Sequence, residues 1–230
     1  MSGLPAEGRL ILSWGRCKPQ KGFDEILRAF RLLLDREGTR GGADKDGRAL
    51  GPGRDHLVLV APTATTEPSY LELVRELLAD LPADRVSVSF DFDDSLPFAV
   101  LGDPRLRAVV LGSRFEAFGL VAAEATALAH PDARILYSPI PPFTAQLRDD
   151  PRAVRLAAVD AEAIAAALEA PGLSAAKPPP PRPRTAGPPN HAGAQASAAT
   201  SAQTPVAEFV RVQAAGLAAR LRLALTVGVR

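Results

Sequence analysis

The sequence lacks most of the features that announce a protein class. It holds one cysteine, Cys17, which excludes an internal disulfide and suits the cytoplasm. It has no uncharged apolar run approaching the roughly 18 residues of a membrane helix. Its opening residues lack the basic start and apolar stretch of a signal peptide. Net charge is nearly absent: 27 Lys and Arg stand against 26 Asp and Glu, so there is no bulk electrostatic case for nucleic acid. Neither a Gly-x4-Gly-Lys-Ser/Thr loop nor a Gly-x-Gly-x-x-Gly turn occurs, which argues against nucleotide hydrolases and dehydrogenases. His56, His130 and His191 are scattered, with no metal spacing to a cysteine. Asp91, Asp93 and Asp94 cluster but lack the spacing of a calcium loop. No metal or cofactor is expected.

What the chain does have is a regular alternation of apolar runs and amphipathic stretches. Arg9 to Trp14, His56 to Ala61, Arg85 to Phe90, Leu106 to Leu111 and Arg134 to Tyr137 read as strands, with a weaker sixth over Ala153 to Val159. Phe23, Ile26, Leu27, Phe30, Leu33 and Leu34 recur at three and four, a helix signal. Similar patterns predict helices over Tyr70 to Leu81, Gly119 to Ala129, and Ala161 to Ala170 with Asp160 as N-cap. Pro139, Pro141 and Pro142 predict a loop. Strands alternating with helices predict an α/β fold: a single Rossmann-like, doubly wound parallel sheet over residues 1–170.

Three stretches break the alternation. Residues 38–55 are rich in Gly, Asp and Arg and read as a surface insertion. Residues 171–205 carry Pro-Pro-Pro-Pro-Arg-Pro-Arg and then a Gly/Ala/Ser/Thr/Gln run, which predicts a disordered linker. Residues 206–227 return to a helical pattern containing Arg211, Arg220 and Arg222. That helix could dock on its own domain, join a partner or rest peripherally on an anionic membrane.

Two loops carry the chemistry. Gly15-Arg16-Cys17-Lys18-Pro19-Gln20-Lys21-Gly22 is a basic turn between the first strand and the first helix. Ser113 to Ala125 follows the fourth strand and holds Glu116-Ala117-Phe118-Gly119-Leu120, with Glu124 eight residues after Glu116. In a parallel sheet both loops leave the same edge, so Arg16, Lys21 and Glu116 can converge although about 100 positions separate them.

The second loop resembles the Glu-Gly-Phe-Gly-Leu region of family-4 glycosyltransferases of the GT-B fold (glycosyl transferases group 1), with Ala117 where the family has glycine. The first resembles that family's Gly-Arg and Lys-Gly pairs. The resemblance spans about Gly8 to Ala170 and matches only the C-terminal, donor-binding domain. It implies that Arg16 and Lys21 contact the diphosphate of a nucleoside diphosphate sugar. Glu116 would contact hydroxyls of the transferred sugar, and Glu124 those of the ribose. Gly15 and the backbone at Phe118, Gly119 and Leu120 would complete the donor site. The activity implied is metal-independent, retaining sugar transfer by a hexosyltransferase-type enzyme, working with a separate acceptor-binding domain or chain. The family's glycines after the helix have no counterpart in His130 to Ile135 or Ser138 to Pro142. The alternative is a catalytically inactive relative that binds a nucleotide sugar or a protein.

Overall fold

The apolar runs form a sheet whose inner strands are buried on both faces, as parallel strands between two helical layers must be. The computed structural model describes residues 4–40, 54–91 and 95–170. Its strands are β1 (Arg9–Trp14), β2 (Asp55–Val60), β3 (Val86–Ser89), β4 (Leu106–Leu111), β5 (Arg134–Tyr137) and β6 (Ala153–Arg155). Every neighbouring pair is parallel, in the order β3-β2-β1-β4-β5-β6. This is a doubly wound, Rossmann-like sheet whose strand order reverses beside β1 and β4.

Helices cover both faces: α1 (Phe23–Arg40), α2 (Pro68–Ala79), α3 (Ser95–Leu101), α4 (Leu120–Leu128), α5 (Pro141–Leu147) and α6 (Ala161–Glu169). Alternate strand residues face opposite layers. Ile11, Leu57, Leu59 and Val110 pack with Phe23, Phe30, Val74 and Ile164 of α1, α2 and α6. Leu10, Leu12, Val58 and Val109 pack with Val100, Ala122 and Phe143 of α3, α4 and α5. Asp160 caps α6, its side chain accepting from the Ala163 N–H at 2.8 Å.

Two expectations need correction. The prolines at 141 and 142 do not hold a loop open; they begin α5. Proline is tolerated in a first helical turn because the N–H it lacks has no intrahelical partner there. The sixth strand stops at Arg155 rather than continuing to Val159. At the edges of the expected insertion, α1 runs on through Arg40 and β2 opens at Asp55. The rest of that insertion, residues 41–53, lies outside the described residues, as do Asp93 and Asp94, the linker at 171–205 and the helix at 206–227. The chain divides into two units, Met1–Lys177 and Pro178–Arg230, and all described residues belong to the first.

Candidate functional site

Because all six strands run the same way, each strand-to-helix loop emerges at one edge of the sheet. The loop after β1 leaves as an extension of that strand. The Gly15 N–H donates to the Val60 carbonyl at 3.0 Å and the Cys17 N–H to the Pro62 carbonyl at 2.9 Å. Extended backbone sends alternate side chains to opposite sides. Cys17 therefore enters the core, where burial pushes its thiol pKa up, and Arg16 projects into solvent at the edge. A 3₁₀ turn, Pro19–Lys21, then brings Lys21 back over Gly15. A Cβ on Gly15 would come within 3.1 Å of the Lys21 Cε.

The turn closes at Gly22, which has φ +68°, and any Cβ there would lie 2.2 Å from the Gly112 carbonyl oxygen. Only glycine lets the first loop lie this close to the second. The two are also tied by Arg114. Its N–H donates to the Gln20 carbonyl at 2.7 Å, and its guanidinium to the Pro19 carbonyl at 2.7 Å. The guanidinium also grips both oxygens of Asp24, at 2.9 and 2.8 Å. Burial raises the Asp24 pKa, but the bonds from Arg114 and Tyr70 outweigh it and hold the carboxyl below its usual range.

The second loop ends at Gly119, the N-cap of α4, with φ +83°. A Cβ there would stand 2.7 Å from the Phe143 ring of α5. Gln146 of α5 donates through Nε2 to the Phe118 carbonyl. The helix that the prolines begin thus supports the Phe118–Gly119 turn from behind.

Between the loops lies an open cleft of about 610 Å³. Gly15, Arg16 and Lys21 line it from the first loop. Glu116, Phe118, Gly119 and Leu120 line it from the second, and Glu124 from the second turn of α4. The residues that the resemblance assigns to a donor site thus border one space. Two details were not foreseen. Lys21 and Glu116 are joined to each other, Nζ donating to Oε1, and Ser113 Oγ donates to the same oxygen at 2.8 Å. The Gly15 N–H is already engaged by β2, so this glycine contributes close approach rather than a free donor.

Glu124 Oε2 accepts from the Trp14 indole Nε1 at 2.9 Å. Burial pushes the Glu124 pKa up, against the opposing effects of the Trp14 bond and the Lys21 charge. Arg16, Lys18 and Lys21 give the cleft cations that can hold an anion. The cleft can also accept hydroxyl donors at the two carboxylates. Val60, Pro62, Pro97 and Phe98 form an apolar wall, and Phe115 and Leu120 are exposed at 67% and 52%. Arg114, Trp14 and Gln146 matter to this geometry, yet only Trp14 carried a sequence signal, as a polar-tipped aromatic ending a buried strand.

No family model and no curated protein matches the sequence. Solved structures do match in fold. A UDP-forming α,α-trehalose-phosphate synthase from Burkholderia xenovorans shares 21% identity at TM-score 0.52, over 73% of this chain and 38% of that one. A glycosyltransferase from Rickettsia africae shares 17% at TM-score 0.53, over 71% and 37%. A trehalose-6-phosphate synthase studied for glycosyl transfer with retention shares 19% at TM-score 0.53, over 71% and 37%. The chain therefore has a Rossmann-like fold of the GT-B type that these structures share. It spans little more than a third of the length of the proteins it resembles.

Proposed function

We propose that this chain is the donor-binding domain of a glycosyltransferase, corresponding to the C-terminal half of a GT-B enzyme and working in the cytoplasm. It holds a nucleoside diphosphate sugar in the cleft at the sheet edge, for retaining, metal-independent transfer to an acceptor carried by a separate domain or chain. The observation that carries the reading is the meeting of Lys21 with Glu116, 95 positions apart, in a cleft that Arg16 and Glu124 also line.

Each residue type suits its task. Breaking the bond between sugar and diphosphate leaves negative charge on the departing oxygens, and fixed cations beside them stabilise it. Arg16 offers a planar fork and Lys21 a point charge. Glu116 and Glu124 accept from sugar and ribose hydroxyls. Beyond the fold, solved structures of like architecture are described as UDP-forming synthases, which release the same kind of diphosphate. The exposed Phe115 and Leu120 at the cleft would be covered by the acceptor domain, which also excludes water from the reacting bond.

Calorimetry with UDP, GDP, ADP, dTDP and their glucose esters tests this. The expected result is binding by at least one pair, weakened in both Arg16→Ala and Glu124→Ala. Absence of binding to the whole panel overturns the reading.

A further inference from the structure

Lys21 and Glu116 enter the cleft already neutralised by one another. Their side chains are only 15% and 14% exposed, so neither charge is fully solvated if the other is taken away. Separating a shielded pair leaves an uncompensated charge, and that charge costs much more than the pair itself gains. Among the described residues, the only other hydrogen bond to the Glu116 carboxylate comes from Ser113, on the oxygen that Lys21 already uses. The other oxygen, Oε2, has no partner among them.

The geometry points to Glu116 as a selectivity element that couples the two halves of the ligand, an inference that rests on the donor-site reading above. A bare diphosphate can draw Lys21 to itself only by stranding the Glu116 carboxylate beside a second anion. Like charges at such range disfavour each other strongly where water is scarce. A diphosphate ester that also carries hydroxyls replaces what Glu116 loses. Its oxygens take Lys21 while its hydroxyls donate to Glu116. Anion and hydroxyls therefore strengthen each other's binding. The site favours a diphosphate ester of a polyol over the free diphosphate, which is to say the loaded donor over the spent one.

Charge bookkeeping in the cleft agrees. Arg16, Lys18 and Lys21 face Glu116 and Glu124. Removing the Glu116 charge frees Lys21 and adds one net positive charge toward a phosphate. Glu116→Gln keeps the size of the side chain and an acceptor for Ser113, so it isolates the charge.

Affinities of wild type and Glu116→Gln for inorganic pyrophosphate, for UDP, GDP, ADP and dTDP, and for their glucose esters decide the matter. The expected pattern is a wild type that prefers an ester to its free diphosphate. In Glu116→Gln, pyrophosphate and the free diphosphate bind on the order of tenfold more tightly, within the usual span of coupling between sites. The ester binds no better than before, so the preference collapses. If wild type binds ester and free diphosphate equally, or if the variant weakens both alike, the coupling is overturned while the donor site stands. If wild type binds none of the probes, the donor site itself falls, and the coupling with it. The wild-type comparison alone is decisive should the variant fail to fold, which a thermal melt reveals.

Discussion

Arg114 and Asp24 face each other as a two-pronged pair, Nη1 on Oδ1 at 2.9 Å and Nη2 on Oδ2 at 2.8 Å. One belongs to the loop after β4 and the other to the first turn of α1, so this contact bolts the two loops of the cleft together. A fork-to-fork geometry adds orientation as well as energy. Among the described residues, Arg114 makes no hydrogen bond or ion pair to a cleft-lining side chain; it acts by fixing the backbone that carries Lys21 and Glu116.

Arg114→Ala is therefore expected to lower stability by about 2 kcal/mol, the scale for hydrogen bonds to charged partners. It should also weaken anion binding, because Lys21 loses its anchored turn. Arg114→Lys restores charge without the fork and should recover only part of either. Urea denaturation and pyrophosphate calorimetry on the same variants check both effects. A variant that loses stability but binds normally would show that the bolt does not serve the cleft.

Asp24 and Glu124 give opposite pH dependences. Asp24 has its folded pKa depressed, so its contribution is present above the ordinary carboxylate range and is lost as the pH falls below about 4. Glu124 has its folded pKa raised, so its ionised form opposes folding at neutral pH, and the penalty is relieved as the pH falls through that raised value. Glu124→Gln keeps an acceptor for Trp14 and should raise the melting temperature at pH 7, by roughly 2–4 °C for each kcal/mol in a chain of this size. The gain should shrink on acidification toward pH 4. Melting curves across pH 4–8 measure it, and the same variant should bind nucleotide ligands worse.

Arg16 is exposed, and among the described residues it makes no hydrogen bond or ion pair. Arg16→Ala should leave stability within about 0.5 kcal/mol of wild type while weakening diphosphate binding roughly tenfold, equivalent to about 1.4 kcal/mol. Trp14, the chain's one tryptophan, reports on this directly, since its indole is bonded to Glu124 at the cleft. Titrating wild type with a bound nucleotide should shift Trp14 emission with saturation. Arg16→Ala should reach the same end point at higher concentration.

Gly22→Ala is expected to be the most damaging single methyl in this region. It meets the Gly112 carbonyl at 2.2 Å in a left-handed backbone. Backbone cannot yield as a flexible side chain can, so a loss of about 2 kcal/mol or more follows. Gly38→Ala in α1 meets nothing within 4 Å and should stabilise slightly, providing the contrast in a denaturation series.

The amino-acid order alone determined where the strands lie, since a strand buried on both faces must be apolar at nearly every position, as Leu10 to Leu12 and Leu57 to Val60 are. It also determined that the basic and acidic loops share an edge, because parallel strands all end on the same side. It did not reveal α5, because proline's ban on helix interiors is also its licence at a first turn, and local pattern does not separate the two uses. Only the tertiary structure decided that Lys21 takes Glu116, that Trp14 takes Glu124, and that Arg114 takes Asp24. Those pairings span 90 residues or more. They depend on where α1 and α4 pack against the sheet, and no periodicity within one segment encodes a distance between two.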